Sequence, residues 1–441
     1  MGASSKATSR TRTDEYVSRD REAISPSLTR TYPFVMEHGR GSRVWDVDGK
    51  EFLDFTAGIA VTATGHCHPD VVQAIQDQAA KFIHMSGTDF YYDVQIELAE
   101  KLDALAPGGE PKQTFFTNSG AEAVEAAFKL ARYATGRQRM IAFVGAFHGR
   151  SMGALSLTGS KQVHRTGFAP LVPGVTHVPY AYCYRCAYNL EYPSCDVHCV
   201  KYIEETLFER LFAGDEVAAI FVEPVQGEGG YIVPPPKYHE RLRKLTDKYG
   251  ILLVDDEVQA GMGRTGRMFA CEHWGVVPDI ICLAKGIASG MPLGAIVAKK
   301  RLMTWPPGAH ASTFGGNPVS CAAGLATLRL IEGGYMQNAA RMGERFLDRL
   351  RQMQVEHRSM GDVRGLGLLV GVEFVEDKDT RAPAVDLRNA VLQKCFEKGL
   401  LILGCGMSTA RFMPALNITP DLVDKGLDIF GHALAEAEEG L

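Results

Sequence analysis

Lys285 closes an apolar run, residues 279–284, and is followed directly by Gly286. A lysine in that place either snorkels out to water or is a buried amine of lowered pKa. The second kind is the nucleophile that forms Schiff bases with carbonyl compounds. A second apolar run, 251–254, ends on Asp255-Asp256-Glu257-Val258-Gln259. Three acids at the end of a buried strand are costly unless they meet cations or open onto a site. A surface turn is the alternative, but the Gly-Met-Gly-Arg-Thr-Gly segment at 261–266 points to a structured loop. After 113–117 come Asn118-Ser119-Gly120-Ala121-Glu122, opening a helix. Small residues there let backbone N–H groups approach an anion, and the helix dipole adds to the attraction, so phosphate is the natural guest. A plain strand-to-helix turn has the same spelling. After 140–144 come Phe147-His148-Gly149-Arg150, an aromatic fit to stack on a flat ring beside a histidine that serves equally as a core residue. After 218–222 come Glu223 and Glu228 in a glycine-rich turn, which reads as a functional loop or as a solvated one.

Each of these signals is weak singly. Together they supply a phosphate cradle, a stacking aromatic, a carboxylate for a pyridinium nitrogen and an amine for an aldehyde. Those are the components of a pyridoxal-phosphate site.

What must position them is a sheet. From about residue 65 to 325, short apolar runs alternate with longer amphipathic stretches, the pattern of a mainly parallel sheet covered by helices. Ligands of open parallel sheets bind beyond the carboxyl ends of the strands, which is where the reactive residues fall. The flanks differ. Residues 43–55 read as two short strands around Asp48-Gly49, and the region after about 331 mixes helices with a strand-like 368–374. The expected division is a polar tail or surface arm over 1–30, a small domain from 31–60 and 331–441, and a large domain over 61–330.

The 441 residues carry 47 basic and 52 acidic side chains, a net charge of -5, which favours neither nucleic acid nor an anionic membrane surface. No apolar stretch has the length of a membrane span, and the first residues lack the apolar core of a secretory signal. Most of the ten cysteines stand singly in apolar segments and read as reduced thiols of a cytoplasmic protein. Four are clustered: Cys183, Cys186, Cys195 and Cys199, in the spacing C-x2-C-x8-C-x3-C. They are candidates for a structural zinc; free thiols or a local disulfide are the alternatives.

Segments 118–127, 147–150, 223–230, 256–266, 283–294 and 312–318, in that order, resemble the class III aminotransferases of the fold-type I pyridoxal-phosphate superfamily. The likeness extends over nearly the whole chain after residue 30. It implies an α/β fold, with a large domain on a mainly parallel seven-stranded sheet and a smaller α+β domain from both termini. It further implies that Lys285 holds pyridoxal 5′-phosphate and moves the proton, and that Asp256 pairs with the pyridinium nitrogen. Val258 and Phe147 would flank the ring and Gln259 would touch its hydroxyl. Ser119, Gly120 and Ala121 would meet the phosphate, with His148 and Glu223 completing the cofactor pocket. Thr313 would reach the phosphate from a partner subunit, implying a homodimer and leaving open whether dimers pair into tetramers.

For substrates, the resemblance places an α-carboxylate on Arg411, a gate at Glu228, a distal carboxylate on Arg150, and a substrate-facing residue at Ile59. A small amino donor such as 4-aminobutyrate and a keto-acid acceptor such as 2-oxoglutarate suit that set. The stretches 255–263 and 399–418 also resemble a racemase and epimerase subgroup with the same cofactor residues. A non-catalytic dimer of the same fold is a third reading, opposed by the intact Lys285, Asp256 and Gln259.

Overall fold

The computed structural model describes residues 11–440. Fifteen strands are numbered along the chain. The N-terminal β1 (Met36–Arg40), β2 (Arg43–Asp46) and β3 (Glu51–Asp54) form an antiparallel meander. Its second turn is set by Asp46, whose Oδ1 accepts from the N–H groups of Asp48 and Lys50, and by Gly49 at φ +85°.

The central sheet contains β4 (Lys112–Thr117), β5 (Arg139–Val144), β6 (Val175–Pro179), β7 (Val217–Val222), β8 (Leu252–Asp256), β9 (Ile280–Leu283) and β10 (Gly294–Lys299). Their order is β4-β10-β9-β8-β7-β5-β6. The run β6-β5-β7-β8-β9 is parallel, and β10 lies antiparallel to both β9 and β4. The alternation of apolar runs predicts this mainly parallel sheet, and its seven strands are the number that the family resemblance implies. Because β4 opposes β10 and β10 opposes β9, β4 runs with the parallel strands. The residues after β4, β5, β7, β8 and β9 therefore collect at one edge.

The central strands are apolar on both faces because both faces are covered. Every residue of β7 is buried. Ala219 and Phe221 pack with Ala123, Val124 and Ala127 of the helix Gly120–Thr135, while Ile220 and Val222 pack with Leu242 and Leu245 of the helix Tyr238–Tyr249. The first helix is delimited by its own chemistry. Ser119 Oγ caps it by accepting from Glu122 N–H, and Gly136 ends it in the left-handed region at φ +70°.

The C-terminal segment supplies β11 (Met360–Leu366), β12 (Leu369–Phe374), β13 (Leu400–Leu401), β14 (Leu403–Cys405) and β15 (Thr409–Phe412). Strands β11-β12-β15-β14 form an antiparallel sheet, whereas β13 pairs in parallel with β3 and joins the N-terminal meander. Against this region lies the long helix Met336–Glu356. Its Gly343 faces the β11–β12 turn, where a Cβ would sit 2.1 Å from the Gly367 carbonyl oxygen. Gly343→Ala would gain about 1 kcal/mol of helix propensity. Overpacking against backbone costs about 1–3 kcal/mol or more and outweighs that gain. The variant is expected to melt several degrees below the parent; an unchanged or higher Tm would contradict this close contact.

The N-terminal stretch is not a featureless tail over its described part. Thr11 and Asp14 form a capping box for a helix, Arg12–Ala23, that buries none of its residues. The helix hangs from the β2–β3 turn: Asp48 accepts from Arg12 N–H at 3.0 Å and Thr13 N–H at 3.2 Å, and the Arg12 guanidinium donates to the Val47 carbonyl at 2.7 Å. It is a surface arm, ordered by its cap and this anchor. Residues 1–10 lie outside the described residues.

Candidate active site

A cavity of about 460 Å³ opens at the carboxyl edge of the central sheet. Ser119, Gly120, Ala121, Phe147, His148, Arg150, Glu223, Asp256, Val258, Gln259 and Lys285 all line it. Residues drawn from five loops are thus brought together by the common direction of five strands.

Lys285 follows β9 with φ at +46°, a left-handed conformation that is strained for a side chain with a Cβ. Burial lowers the pKa of its amine, while the charge of Asp256 works in the opposite direction. Asp256, the last residue of β8, faces the cavity and is buried. Its Oδ2 lies 2.7 Å from His148 Nδ1, and its Oδ1 accepts from Val258 N–H at 3.1 Å. Burial opposes the charged imidazole of His148, yet the hydrogen bond to Asp256 and its charge prevail and raise its pKa. His148 is therefore fixed from one side, with its main-chain N–H donating to Thr158 Oγ1 at 2.9 Å. Its Nε2 is buried without a partner.

Strand alternation separates the acids of the Asp-Asp-Glu run. Asp255 and Glu257 turn away from the cavity and meet Cys271, with ligand-type atoms of all three within 4.8 Å of one another. Burial raises Asp255 well above the carboxylate range and Glu257 to about 7. Burial and the charge of Glu257 and Asp256 thus favour the protonated form of Asp255. Glu223 is likewise buried and raised to about 7, although its oxygens accept from Phe147 N–H at 3.3 Å and Gly227 N–H at 3.1 Å.

The cavity fits pyridoxal phosphate. The amino end of the helix Gly120–Thr135 points backbone N–H groups into it, as a phosphate requires. Gly120 cannot carry a side chain, because a Cβ would lie 2.8 Å from Val258 Cγ1. Val258 and Phe147 are the apolar walls, and Gln259 is oriented by Tyr231, whose hydroxyl donates to Gln259 Oε1 at 2.7 Å.

The substrate candidates are less closely gathered. Arg150 lines the cavity, whereas Arg411 and Glu228 pair with each other beside it, at 3.0 Å. Arg411 is buried in β15, which agrees with its apolar sequence setting. Ile59 is 44% exposed and, like Arg411 and Glu228, lies outside the lining of the cavity. The reason is local: residues 57–60 all have positive φ, a left-handed turn that directs Ile59 outward. Thr313 is exposed and also outside the lining of its own chain's cavity.

The four clustered cysteines surround one small cavity, but their sulfurs are not gathered as closely as a bound zinc requires. Tetrahedral thiolates at a Zn–S distance of about 2.3 Å place their sulfurs roughly 3.8 Å apart. Among the described residues, the only three metal-capable side chains with ligand atoms within 4.8 Å of one another are Asp255, Glu257 and Cys271. The cluster is held as free thiols, with burial pushing Cys199 up to about 12. Four residues of the site carry no recognisable motif: Thr158, Lys161, His164 and Tyr231. Lys161 and His164 sit in a loop without a strand end before it, so only the packed chain reveals them.

Comparison with known proteins bears on this geometry. The family model described as Aminotransferase class-III matches residues 24–434. A 5-aminovalerate aminotransferase, DavT, of Pseudomonas aeruginosa is 40% identical over 435 residues, covering 96% of this chain and 99% of its own. A leucine/methionine racemase of Thermococcus litoralis is 39% identical over 424 residues, with 95% of this chain and 94% of its own covered. Among solved structures, a thermostable (S)-enantioselective omega-transaminase from Thermomicrobium roseum superposes with a TM-score of 0.89 at 32% identity, covering 96% of this chain and 98% of its own.

Proposed function

Since the chain belongs to the class III aminotransferase family and is a pyridoxal-phosphate-dependent aminotransferase, we propose that its donor is an ω-amino acid of the 4-aminobutyrate or 5-aminovalerate type and its acceptor a keto acid such as 2-oxoglutarate. When bound, the cofactor supplies an aldehyde carbon that takes the amino group and a ring that absorbs the electron pair left on the substrate carbon.

The chain's own residues do the rest. Ser119, Gly120 and Ala121 hold the phosphate at a helix amino end. Asp256, stiffened by His148, keeps a proton on the ring nitrogen, and Gln259 meets the ring hydroxyl. Phe147 and Val258 confine the ring between them. Glu223 lends the pocket a buried, hydrogen-bonded wall. Lys285 carries the cofactor at rest and then moves the proton at the substrate carbon, a role suited to an amine whose pKa burial has lowered.

One observation carries the substrate reading: the buried Arg411 pairs with Glu228 at 3.0 Å. A donor with a single distal carboxylate places it on Arg150 and leaves Arg411 to Glu228. A dicarboxylate acceptor needs both arginines, so Glu228 must give way. The pair is a switch between two substrates that differ by one carboxylate. Proton return to the opposite face of the same carbon, as in a racemase, is the second reading, favoured by the kinship with the Thermococcus litoralis enzyme.

The active form is read as a homodimer. Thr313 lies on an exposed loop fastened beside the phosphate cradle by Asn118 Nδ2 to Ser312 Oγ at 3.0 Å. Its neighbour Phe314 is 62% exposed and Tyr91 95% exposed, apolar surface that a second copy would cover. The free thiols suit a cytoplasmic setting, and no helix among the described residues is long and apolar enough to cross a membrane.

Incubation with 2-oxoglutarate and 15N-labelled 5-aminovalerate or 4-aminobutyrate is expected to yield 15N-glutamate. Glutamate without label from either donor would contradict the donor class, whatever the activity with other amines.

A further inference from the structure

Glu228 has two cationic partners, one on each oxygen. Arg411 Nη1 holds Oε2 at 3.0 Å, and Lys161 Nζ holds Oε1 at 2.5 Å. The two cations differ in setting: Arg411 is buried, whereas the Lys161 side chain is 41% exposed at the mouth of the same loop. Among the described residues, Glu228 is the only carboxylate paired with Arg411. Both cations hold Glu228 ionised against the effect of burial, which works to protonate it. The main chain at Glu228 is fixed, because its carbonyl accepts from Gly406 N–H at 2.8 Å. Only the side chain is free to swing.

We propose that Lys161 is a specificity-determining residue, the alternative counter-ion that receives Glu228 when a substrate carboxylate claims Arg411. This rests on the two-substrate switch and deepens it. A half-buried carboxylate leaving its arginine with no second cation would stand unpaired in a poorly solvated place, which is strongly unfavourable. With Lys161 already on the outer oxygen, Glu228 moves from a shared ion pair to a single one and is never without a partner. Lys161 is suited to this by its exposure, since its ammonium follows the carboxylate on a flexible stem while water completes its shell. His164 lies in the same loop, and the charges of Arg150 and Lys161 add to burial in lowering its pKa. It stays neutral there and does not compete for Glu228. Lys161 does not line the cavity; it acts through Glu228.

The test is binding of two inert carboxylates to the cofactor-loaded enzyme, followed by calorimetry. Glutarate presents two carboxylates and needs both Arg150 and Arg411; valerate presents one and needs only Arg150. Lys161→Met is expected to weaken glutarate roughly fivefold, the scale of a partly exposed ion pair, and to leave valerate within twofold. Lys161→Arg should restore glutarate binding. In a Glu228→Gln background, where no charge has to be moved, Lys161→Met should change neither ligand. An unchanged glutarate Kd in Lys161→Met overturns the proposal. So does a loss that persists in the Glu228→Gln background, since Lys161 would then act on the ligand or the fold directly. The underlying switch is tested apart from this by Arg411→Leu: glutarate binding that survives it would sink the switch itself.

Discussion

Lys285→Ala is expected to lower turnover by roughly 10^4-fold or more, the scale of a positioned acid–base group, because the variant lacks both the amine that carries the cofactor and the group that moves the proton. The geometry leaves little room for a substitute. Lys285 is the lysine that lines the cavity, and its main chain is held in a left-handed conformation, which projects the side chain from the end of β9. The other nearby cations are placed elsewhere, Arg411 and Lys161 on Glu228 and Arg150 at the rim. The fold should persist, since Lys285 makes no hydrogen bond that other elements depend on, so Tm is expected to stay close to the parent's. Steady-state turnover and mass spectrometry of borohydride-reduced protein check this together. The parent should carry the cofactor's mass on the peptide containing Lys285, and the variant should not. A variant that turned over at one-hundredth of the parent rate or better would contradict the assignment.

Asp256→Asn is expected to reduce kcat/KM by roughly 10^2- to 10^3-fold, the range in which removal of one preorganised electrostatic partner falls. The substitution keeps the shape but removes the charge and replaces one of the two acceptor oxygens by a donor NH2. That charge has two dependants: a proton on the ring nitrogen of the cofactor, and the raised pKa of His148 at 2.7 Å. Without it, burial alone governs His148, whose pKa should fall, and the ring nitrogen is no longer held protonated. Cofactor binding should survive, because the phosphate cradle and the apolar walls are untouched. Kinetics, with cofactor content measured on the same sample, separates the two effects. A rate within threefold of the parent, at full cofactor content, would show that the carboxylate is not the ring's partner.

The site is legible in the sequence because parallel strands that end together leave their following residues together. Lys285, Asp256, Glu223, Phe147 and Ser119 each stand just after an apolar run, and knowledge of that one rule collects them. The choice of Asp256 over Asp255 rests on resemblance, and alternation along β8 gives its physical reason: one faces the cavity, the other lies beside Glu257 and Cys271 on the reverse side. Lys161 is not legible, since a lysine in a polar loop has no periodicity, and its meaning depends on Glu228 arriving from 67 positions away. The outward direction of Ile59 is not legible for a related reason. A run of positive φ through residues 57–60 is expected from glycine, and only one of the four is glycine. Cysteine spacing suggests a metal, but spacing sets only which thiols are near in sequence. Whether their sulfurs converge depends on the turns between them, and here they ring a cavity without closing on a common point.

Single-turnover absorbance tests the central claim most directly. The cofactor-loaded enzyme is mixed with 5-aminovalerate, 4-aminobutyrate, ornithine and several L-amino acids in turn, with no keto acid present. Amino transfer from an ω-amino acid predicts that the cofactor's aldehyde-form absorbance disappears with 5-aminovalerate or 4-aminobutyrate, one equivalent per site, and returns when 2-oxoglutarate is added. If the absorbance instead persists with both, while an L-amino acid acquires its D-enantiomer, the proton is being returned to the substrate carbon and the enzyme is a racemase.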